Sequence, residues 1–365
     1  MKLRDLELKN YRNCEELKLT FNSQKALIIG KNAQGKTNIL ESIYFISTLK
    51  SPRTSTITDL INFNNSKFEI FADILKSDTD ISLEFSIDNE KNKVIKVNGV
   101  KSRPKEFKQV LKTVLFSTSD LLLLRGTPQD RRDWLDRAIS QIYPAYDERL
   151  SKYEKIRVQK NNFLKDAAKT GNFNETLLDV YNEQLVITGS NIIFLRKKFL
   201  KEIEKIASEK HKTISETETL KIEYDCNFGE NIEEIAENFK KELEERRTEE
   251  QRRCQACVGP HRDDIIFYIN GNEAVKFASQ GQQRTIVLAL KLSELDIITE
   301  KTGDEPILLL DDVLAELDDI RQNYLLKSIG PNTQTIITSV DTILFEDEFL
   351  KDVEIYKIEN GKLIK

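Results

Sequence analysis

The segment GKNAQGKT at residues 30–37 constrains the fold of this chain more than any other feature of the sequence. It fits the pattern G-x-x-x-x-G-K-[ST], which belongs between a strand and a helix. The apolar residues 26–29 predict the strand, and residues 38–47 predict the helix. Main-chain amides of such a loop and the N-terminus of its helix bind phosphate oxygens. The sequence therefore predicts an α/β domain that binds a nucleoside triphosphate.

The residues of this loop have different predicted roles. Lys36 is expected to reach the β- and γ-phosphates of ATP, and the Thr37 hydroxyl is expected to ligate Mg²⁺. The other predicted nucleotide contacts in the loop are Gly30, Lys31, Asn32, Ala33, Gln34 and Gly35.

A second segment, ILLLDD at residues 307–312, predicts a strand that ends in two carboxylates. Its continuous apolar run suits a strand covered on both faces, as in a parallel sheet. Asp311 is the predicted Mg²⁺ ligand beside Thr37, and Asp312 is expected to orient or activate the attacking water. Transporter ATPases usually have Glu at the second position, so the shorter Asp predicts slow hydrolysis, which suits a switch. Lys36, Asp311 and Asp312 are thus the predicted catalytic residues.

The third segment, ASQGQQR at residues 278–284, decides the class. It resembles the LSGGQ signature of ABC-type ATPases: Ser279, Gly281 and Gln282 match, and Gln280 replaces the first glycine. In that class the signature of one protomer faces the γ-phosphate bound by the other. Alone, the segment fits a capped helix start equally well. Between a phosphate loop and an acidic strand, in this order, it predicts an ATP-dependent homodimer. The AELD of residues 315–318 stands where this class has its D-loop.

Length and pattern predict how the chain is organised. With 365 residues it exceeds the ~250–300 residues at which single cores stop growing, so two lobes are expected. Residues 1–118 and 254–365 predict the two halves of one head, and the charged helical pattern of 119–253 predicts an inserted helical arm. The predicted fold class is α/β: an ABC-type ATPase head, with mixed β-sheets packed on helices, and this arm.

The distribution of apolar residues in the sequence predicts the cellular compartment of the protein. No apolar stretch approaches the ~18–20 residues of a membrane span, and the N-terminus MKLRDLELKN lacks the apolar core of a secretory signal. We therefore expect a cytoplasmic protein with no membrane partner. The C-x-x-C formed by Cys254 and Cys257 lacks further metal ligands at matching spacing. We interpret the pair as two small, partly buried side chains.

Longer stretches resemble the RecF family along the whole chain. They are LELKNYRN at 6–13, RGTPQDRRDWLD at 125–136, VGPHRDD at 258–264, FASQGQQRTIVLALKLSE at 277–294 and PILLLDDVLAELD at 306–318. The resemblance implies a head similar to that of SMC-type ATPases, with a short arm instead of a long coiled coil. It also implies ATP-driven dimerisation and ATP-dependent binding of duplex DNA and of single-strand/double-strand junctions. The implied partners are RecR and, through it, RecO, with which the protein would help to load RecA at gaps.

Two further expectations accompany this resemblance. In SMC-like heads an arginine after the first strand approaches the phosphates, which makes Arg12 a candidate contact. The formal net charge is −5, so DNA binding needs local basic patches. The candidates are Lys101, Arg103, Lys105, Lys108, Arg131, Arg132, Arg196, Lys197 and Lys198, although for any one of them an ordinary solvated charge is the commoner explanation.

Other functions fit the sequence less well. A transporter ATPase subunit would have a glutamine loop and a switch histidine, which are not evident at 116–120 or after the predicted strand 335–338. A chromosome-organising SMC-like protein would need sustained heptads, whereas the arm is short and is expected to be broken at Gly171 and Gly189. The residues His261, Arg262, Asp263 and Asp264 suggest a polar network of undetermined role.

Overall fold

The computed structural model of the chain describes residues 1–226 and 228–364. These residues form two compact units. The first unit combines Met1–Leu122 with the segment from Arg284 onward, and the second is Leu123–Gln283.

The strands are distributed over both units. Those before Leu123 are β1 (Lys2–Tyr11), β2 (Cys14–Thr20), β3 (Lys25–Ile29), β4 (Lys67–Lys76), β5 (Thr79–Asp88), β6 (Lys93–Val97), β7 (Val100–Lys101) and β8 (Thr113–Ser117). The second unit contains β9 (Leu220–Asp225), β10 (Asp264–Ile269) and β11 (Asn272–Glu273). The strands after Gln283 are β12 (Ile307–Asp311), β13 (Thr335–Ser339), β14 (Val353–Glu359) and β15 (Lys362–Ile364).

The longest helices lie in the middle of the chain. The helices are α1 (Lys36–Thr48), α2 (Pro104–Phe107), α3 (Pro128–Ile142), α4 (Tyr146–Thr170), α5 (Glu175–Ser215), α6 (Ile232–Glu245), α7 (Arg247–Arg253), α8 (Ala274–Phe277), α9 (Gln280–Thr302), α10 (Asp319–Ser328) and α11 (Asp347–Leu350). No helix among the described residues combines the length and the apolar character needed to cross a membrane.

A six-stranded sheet of the first unit carries two of the three motifs. Its strand order is β15-β14-β3-β13-β12-β8, and all neighbours are parallel except the β14–β15 hairpin. The predicted strand at 307–310 is β12, whose four apolar residues are all buried. This burial confirms the interpretation of ILLL as a strand covered on both faces. The predicted helix at 38–47 is α1.

The second sheet of this unit is antiparallel, in the order β2-β1-β4-β5-β6-β7. The register between β1 and β4 shifts between Leu3 and Asp5, which explains why Leu3 and Leu6 are both buried although they are three residues apart. Helix α1 shares one hydrophobic core with both sheets, through residues that include Ile43 and Phe45.

The second unit contains the helical part of the chain. Helix α5 is amphipathic, and its buried residues include Leu185, Ile192, Phe199 and Ile203. The predicted break at Gly189 is wrong, because α5 runs through this residue. A Cβ at Gly189 would lie 2.6 Å from Cε1 of Phe239 in α6, so the glycine lets these helices pack closely. Gly171, by contrast, does end α4, with a φ of 66°.

The second unit also extends further than predicted. The sequence placed the end of the arm at residue 253 and assigned 254–365 to the head. The structure keeps residues 254–283 in the second unit, because β10 pairs along its length with β9. The arm region is therefore a helical unit with a small antiparallel sheet of its own, in the order β11-β10-β9.

The segment around His261 belongs to a buried polar network of this unit. His261 Nδ1 lies 2.6 Å from the Tyr153 hydroxyl, and the Tyr224 hydroxyl donates to Asp263 at 2.5 Å. Burial lowers the pKa of His261 to about 3 and raises the pKa of Asp263 to about 6. The sequence had offered no mechanism for these residues, and their contacts give them a structural role.

Three basic residues predicted as candidate DNA contacts are internal, and that prediction is wrong for them. Arg131 forms a two-pronged pair with Asp264 at 2.8 and 2.7 Å, and Arg196 forms another with Asp136 at 2.9 and 2.8 Å. Arg132 is buried and donates to the main-chain oxygen of Asp263 at 2.5 Å. Buried and paired guanidinium groups stabilise the second unit and cannot reach a DNA backbone.

The cysteine pair consists of two partly buried side chains, as the sequence predicted. Cys254 and Cys257 are both free thiols and are partly buried. Burial raises the pKa of Cys257. Within residues 1–226 and 228–364, no cluster of three or more His, Cys, Asp or Glu side chains could hold a metal ion.

Candidate functional site

The candidate site lies at one edge of the parallel sheet. Strand β13 pairs with β3 on one side and with β12 on the other, so the carboxyl ends of all three strands meet at this edge. The loop 30–37 follows β3, while Asp311 ends β12 and Ser339 ends β13. The edge beyond the carboxyl ends of parallel strands is the usual ligand position in open α/β sheets. The fold thus brings together two segments whose contacting residues, Thr37 and Asp311, are 274 residues apart in the sequence.

Gly35 of the loop is required by its backbone conformation, and Gly30 is required by the close approach of another backbone segment. Gly35 has a φ of 106°, and a Cβ there would lie 2.8 Å from Oδ1 of Asn13. Gly30 is the first residue of the loop, and a Cβ there would lie 2.4 Å from the main-chain oxygen of Ile358 in β14. The predicted glycine positions are therefore fixed by neighbouring protein as well as by the space that a phosphate group needs.

Lys36 is buried at the start of α1. Its Nζ donates to the main-chain oxygens of Gly30 at 2.8 Å and Lys31 at 3.3 Å, and it lies 4.0 Å from Oδ2 of Asp312. The ammonium group thus lies under the loop, held mainly by uncharged carbonyl groups. An ammonium in this position can attract an anionic ligand to the loop.

Thr37 and Asp311 come together as the sequence predicted. The Thr37 hydroxyl donates to Oδ1 of Asp311 at 2.9 Å, and the Thr338 hydroxyl donates to the same oxygen at 2.9 Å. Burial raises the pKa of Asp311, while the hydrogen bonds from Thr338 and Thr37 oppose this rise. A hydroxyl and a carboxylate oxygen at this separation form a donor set of the kind that Mg²⁺ prefers.

Asp312 adopts a backbone conformation that is uncommon for its residue type. Its φ is 51°, in the left-handed region, and its main-chain amide donates to the Thr338 hydroxyl at 2.9 Å. This turn of the backbone follows directly after β12 and leaves the carboxylate partly exposed, with Oδ2 4.0 Å from Nζ of Lys36. Asp312 is therefore close to the predicted phosphate-binding lysine and accessible to solvent.

Arg12 is positioned by the helix that follows the loop. It lies in the turn between β1 and β2 with a φ of 53°, and its guanidinium contacts Glu41 of α1 at 3.0 and 2.8 Å. The hydrogen bond with Glu41 raises the pKa of Arg12. Arg53 also approaches Glu41, at 3.5 Å, and donates to Oδ1 of Asn38 at 2.7 Å. Two guanidinium groups share one buried carboxylate, which leaves positive charge beside α1.

Arg53 is a candidate that sequence reasoning missed. Its signal was the polar stretch KSPRT at residues 50–54, immediately after the predicted helix. This stretch matches no phosphate-loop pattern, so only the return of the chain toward Asn38 and Glu41 reveals its position.

The signature segment forms a capping box in the second unit. The Ser279 hydroxyl accepts from the amide of Gln282 at 3.2 Å, and Oε1 of Gln282 accepts from the amide of Ser279 at 2.7 Å. Gly281 lies between them in the first turn of α9. Ser279 is exposed, and because its hydroxyl acts as the acceptor in this bond, it can still donate its own hydrogen to a ligand.

The remaining class elements depart from the transporter pattern, as the sequence indicated. Residues 116–120 include the end of β8 and the turn after it, where Asp120 accepts hydrogen bonds from the amide and hydroxyl of Ser117, each at 2.8 Å. At the end of the predicted D-loop, Asp318 accepts from the amide of Arg321 at 3.0 Å and caps α10. Near the switch position, where transporter ATPases have a histidine, this chain has Thr338, which contacts Asp311.

A phosphate loop, a serine-capped helix and a strand that ends in an acidic residue beside the loop, in this chain order, define the head of an ABC-type ATPase. Residues 2–363 match the family described as RecF/RecN/SMC N terminal domain. The DNA replication and repair protein RecF of Bacillus subtilis (strain 168) is 38% identical over 371 residues, covering 100% of both chains. The protein of the same name from Thermosynechococcus vestitus is 39% identical over 368 residues, covering 100% of this chain and 97% of the relative. The chain belongs to the RecF family of DNA replication and repair proteins.

Solved structures agree with this assignment. A structure of the recombination mediator protein RecF-ATP in the RecFOR pathway has a TM-score of 0.91 at 36% identity, covering 100% of this chain and 97% of that chain. An SmcHead bound to the C-winged helix domain of ScpA has a TM-score of 0.56 at 14% identity, covering 100% of this chain and 98% of that chain. The second similarity shows the head fold alone.

Proposed function

We propose that this chain is an ATP-dependent DNA-binding protein of recombinational repair that closes into a homodimer when ATP binds. The observation that carries the proposal is the meeting of Lys36, Thr37 and Asp311 at one edge of the parallel sheet. A cation under the loop and a hydroxyl–carboxylate pair beside it suit a nucleoside triphosphate with its metal ion.

In this proposal the loop 30–37 binds the phosphates of ATP, while Thr37 and Asp311 hold Mg²⁺. Bound Mg²⁺ would supply positive charge that stabilises the transferring phosphoryl group. Arg12 adds positive charge from the β1–β2 turn, because its carboxylate partner Glu41 is shared with Arg53. Asp312, which is partly exposed, orients the attacking water. The short reach of this side chain supports slow hydrolysis and a switch rather than a motor.

The role of Asp312 can be tested separately from nucleotide binding. Asp312→Asn retains the size of the side chain but removes its capacity to accept a proton. We expect ATP binding to persist, hydrolysis to fall by about 100-fold or more, and the DNA complex to live longer. Normal hydrolysis in this variant would show that Asp312 does not have this role.

Dimerisation is supported by the signature segment and by exposed apolar side chains. Ser279 is exposed at the N-terminus of α9, where helix dipole and hydroxyl favour an anion. Four exposed apolar side chains of the first unit, Ile320, Val340, Ile343 and Leu344, lie in the segments that follow the predicted D-loop and β13. We infer that they and the signature meet the partner protomer in the closed dimer. Ser279→Arg should leave ATP binding by the monomer intact and block the dimer.

DNA binding would rest on local basic side chains. Lys101, Arg103 and Lys105 are exposed around β7 and α2, and they are candidates for contacts with the DNA backbone. Replacing all three with Glu should weaken duplex binding and reduce the magnitude of its salt dependence by about one unit per lost phosphate contact. The matched control replaces three exposed lysines elsewhere in the same unit, Lys18, Lys327 and Lys351. Equal losses in both triples would indicate a general charge effect.

The relatives support the proposed partners. We infer that the chain acts in the cytoplasm with RecR and RecO, binds duplex DNA and single-strand/double-strand junctions, and helps to load RecA at gaps. Support comes from the solved relative, which is described as a recombination mediator in the RecFOR pathway. The alternative, a chromosome-organising SMC-like ATPase, shares the head fold.

One experiment tests the whole proposal. Sedimentation velocity is measured with and without Mg-ATP, in the presence and absence of duplex DNA. We expect a monomer without ATP, a dimer with ATP, and duplex bound to the dimer. A protein that stays monomeric at saturating Mg-ATP and binds duplex equally in both states would refute the proposal.

A further inference from the structure

Three hairpin turns of the chain share the same two residues and nearly the same backbone. They are Asn98-Gly99, Asn270-Gly271 and Asn360-Gly361. Each asparagine has a φ of 50°, and the glycines have φ values of 75°, 80° and 73°. Asn-Gly is the preferred pair for a two-residue hairpin turn, because both positions need a positive φ. By local geometry alone the three turns are equivalent.

Their surroundings differ. A Cβ added at Gly99 or Gly271 would meet no atom within 4 Å. A Cβ added at Gly361 would lie 2.5 Å from the main-chain oxygen of Asn13 and 3.1 Å from Cα of Cys14. The turn between β14 and β15 is thus packed against the turn between β1 and β2, whereas the other two are open.

The same turn is bonded to the phosphate loop. The amide of Gly361 donates to the main-chain oxygen of Gln34 at 2.9 Å, and the amide of Asn360 donates to Oε1 of Gln34 at 2.6 Å. The strand before this turn also touches the loop, since the main-chain oxygen of Ile358 closes the space beside Gly30. The β14–β15 hairpin therefore contacts the glycine loop at its first residue, Gly30, and again at Gln34.

The turn between β1 and β2 completes the enclosure. Oδ1 of Asn13 accepts from Nδ2 of Asn38 in α1 at 2.7 Å and lies within 2.8 Å of where a Cβ of Gly35 would be. Asn13 thus contacts the loop through its side chain and the hairpin through its main chain. Most of the contacts that the two turns make with the loop involve main-chain atoms of the loop. They therefore fix the loop backbone rather than any one side chain.

We propose that the Asn360-Gly361 turn is a positioning element that holds the backbone of the loop 30–37 in the shape that binds phosphate. The importance of this role for ATP rests on the function proposed above. Gly361 is a positioning residue: it contacts Gln34 and Asn13, and it acts on the nucleotide through the loop.

The test compares Gly361→Ala with Gly99→Ala. Both substitutions place a Cβ at the same positive φ in an Asn-Gly turn, so their intrinsic backbone strain is matched, and only the first meets protein atoms. Amide hydrogen exchange of residues 30–37 is measured without nucleotide, and ATP affinity is measured by titration. We expect faster exchange in the loop and at least about a tenfold rise in the Kd for ATP in Gly361→Ala, with neither change in Gly99→Ala.

A second variant separates positioning from general destabilisation. Gln34→Ala removes the acceptor of the Asn360 amide, so combining it with Gly361→Ala should raise the Kd for ATP by less than the product of the single effects. Unchanged loop exchange in Gly361→Ala, or multiplicative effects in the double variant, would overturn the inference. If the wild-type protein failed to bind ATP, the proposed function would fall, while the exchange measurement would still decide whether the hairpin holds the loop.

Discussion

Lys160 of the second unit and Lys36 of the first unit are both buried, but their surroundings are opposite in kind. Lys160 in the second unit lies 2.5 Å from Oε2 of Glu250, and both side chains are fully buried. Lys36 in the first unit is also buried, but its Nζ contacts two carbonyl oxygens and is 4.0 Å from the carboxylate of Asp312. A buried charge in contact with its counter-ion is compensated within the fold. One held chiefly by carbonyl dipoles keeps the capacity to attract an anionic ligand.

The same contrast extends to the arginines. Arg196 is paired in two-pronged fashion with Asp136, and Arg131 is paired likewise with Asp264. In the first unit, Arg12 and Arg53 share the single carboxylate of Glu41. Local charge balance therefore separates these structural cations of the second unit from the three cations that we propose bind the ligand in the first unit. Four substitutions test this distinction.

The largest effect is expected from Lys160→Met. Removing one partner of a buried ion pair leaves Glu250 buried without its counter-ion, which costs about 3–5 kcal/mol. Urea unfolding followed through Trp134, the single tryptophan of the sequence and a buried residue of the second unit, measures the loss. The double variant Lys160→Met/Glu250→Gln should recover most of it, because the amide can still accept from the amide of Cys257. No loss in the single variant would contradict the structural role.

The second test, Lys36→Ala, should have the reverse outcome. We expect ATP affinity to fall by about 100-fold, or about 3 kcal/mol, and ATP-dependent dimerisation to be lost with it. The unfolding transition followed through Trp134 should be unchanged, because the substitution lies in the first unit. Titration calorimetry and the urea experiment check the two expectations. ATP affinity within threefold of wild type would show that this cation does not bind phosphate.

The sequence was sufficient for the motifs because each combines a local pattern with a local structure. The loop 30–37 and the strand ILLLDD could be recognised, and their order along the chain predicted that Thr37 and Asp311 would meet. The parallel pairing of β3, β13 and β12 then fixes the same edge for both. The head fold and its family were therefore accessible from the sequence alone.

Other features depend on contacts between distant residues, which a sequence pattern does not encode. Arg131 and Arg196 had the appearance of a basic surface, but their partners Asp264 and Asp136 are 133 and 60 residues away. Gly189 was expected to break a helix, although its lack of a Cβ lets Phe239 approach. The position of Arg53 likewise depends on the return of a loop toward α1.

The third test concerns titration in the second unit. Burial raises the pKa of Asp263 to about 6, so below that pH its carboxyl group binds more protons in the folded state than in the unfolded state. The contribution of this group to folding stability therefore falls as the pH rises from about 4 to 6. Burial lowers the pKa of His261 to about 3, which makes its contribution rise with pH in the same interval. Asp263→Asn removes the contribution of the Asp263 carboxyl group and leaves that of His261. We expect stability followed through Trp134 to rise more steeply with pH than in wild type, by on the order of 1–3 kcal/mol across this interval.

An unchanged pH profile in Asp263→Asn would mean that its carboxyl group titrates alike in the folded and unfolded states. His261→Gln provides the opposite control, since its profile should rise less steeply than that of wild type.

The smallest effect is expected from Thr338→Val, which tests how the oxygens that we propose bind Mg²⁺ are held. The Thr338 hydroxyl donates to Asp311 and accepts from the amide of Asp312, and Val keeps the shape of the side chain without these bonds. Losing one such orienting group costs about 1 kcal/mol, so the Mg²⁺ concentration for half-maximal ATP binding should rise about fivefold. Thr338→Ser keeps the hydroxyl and should restore the wild-type value. Because burial raises the pKa of Asp311 while Thr338 opposes that rise, the Val variant should show its largest deficit at the acidic end of a pH series. A Mg²⁺ requirement that is the same in all three proteins would contradict the placement of Asp311 in the metal site. It would also contradict the contrast between a carboxylate available to a ligand and the carboxylates of the second unit that are paired with arginine or lysine.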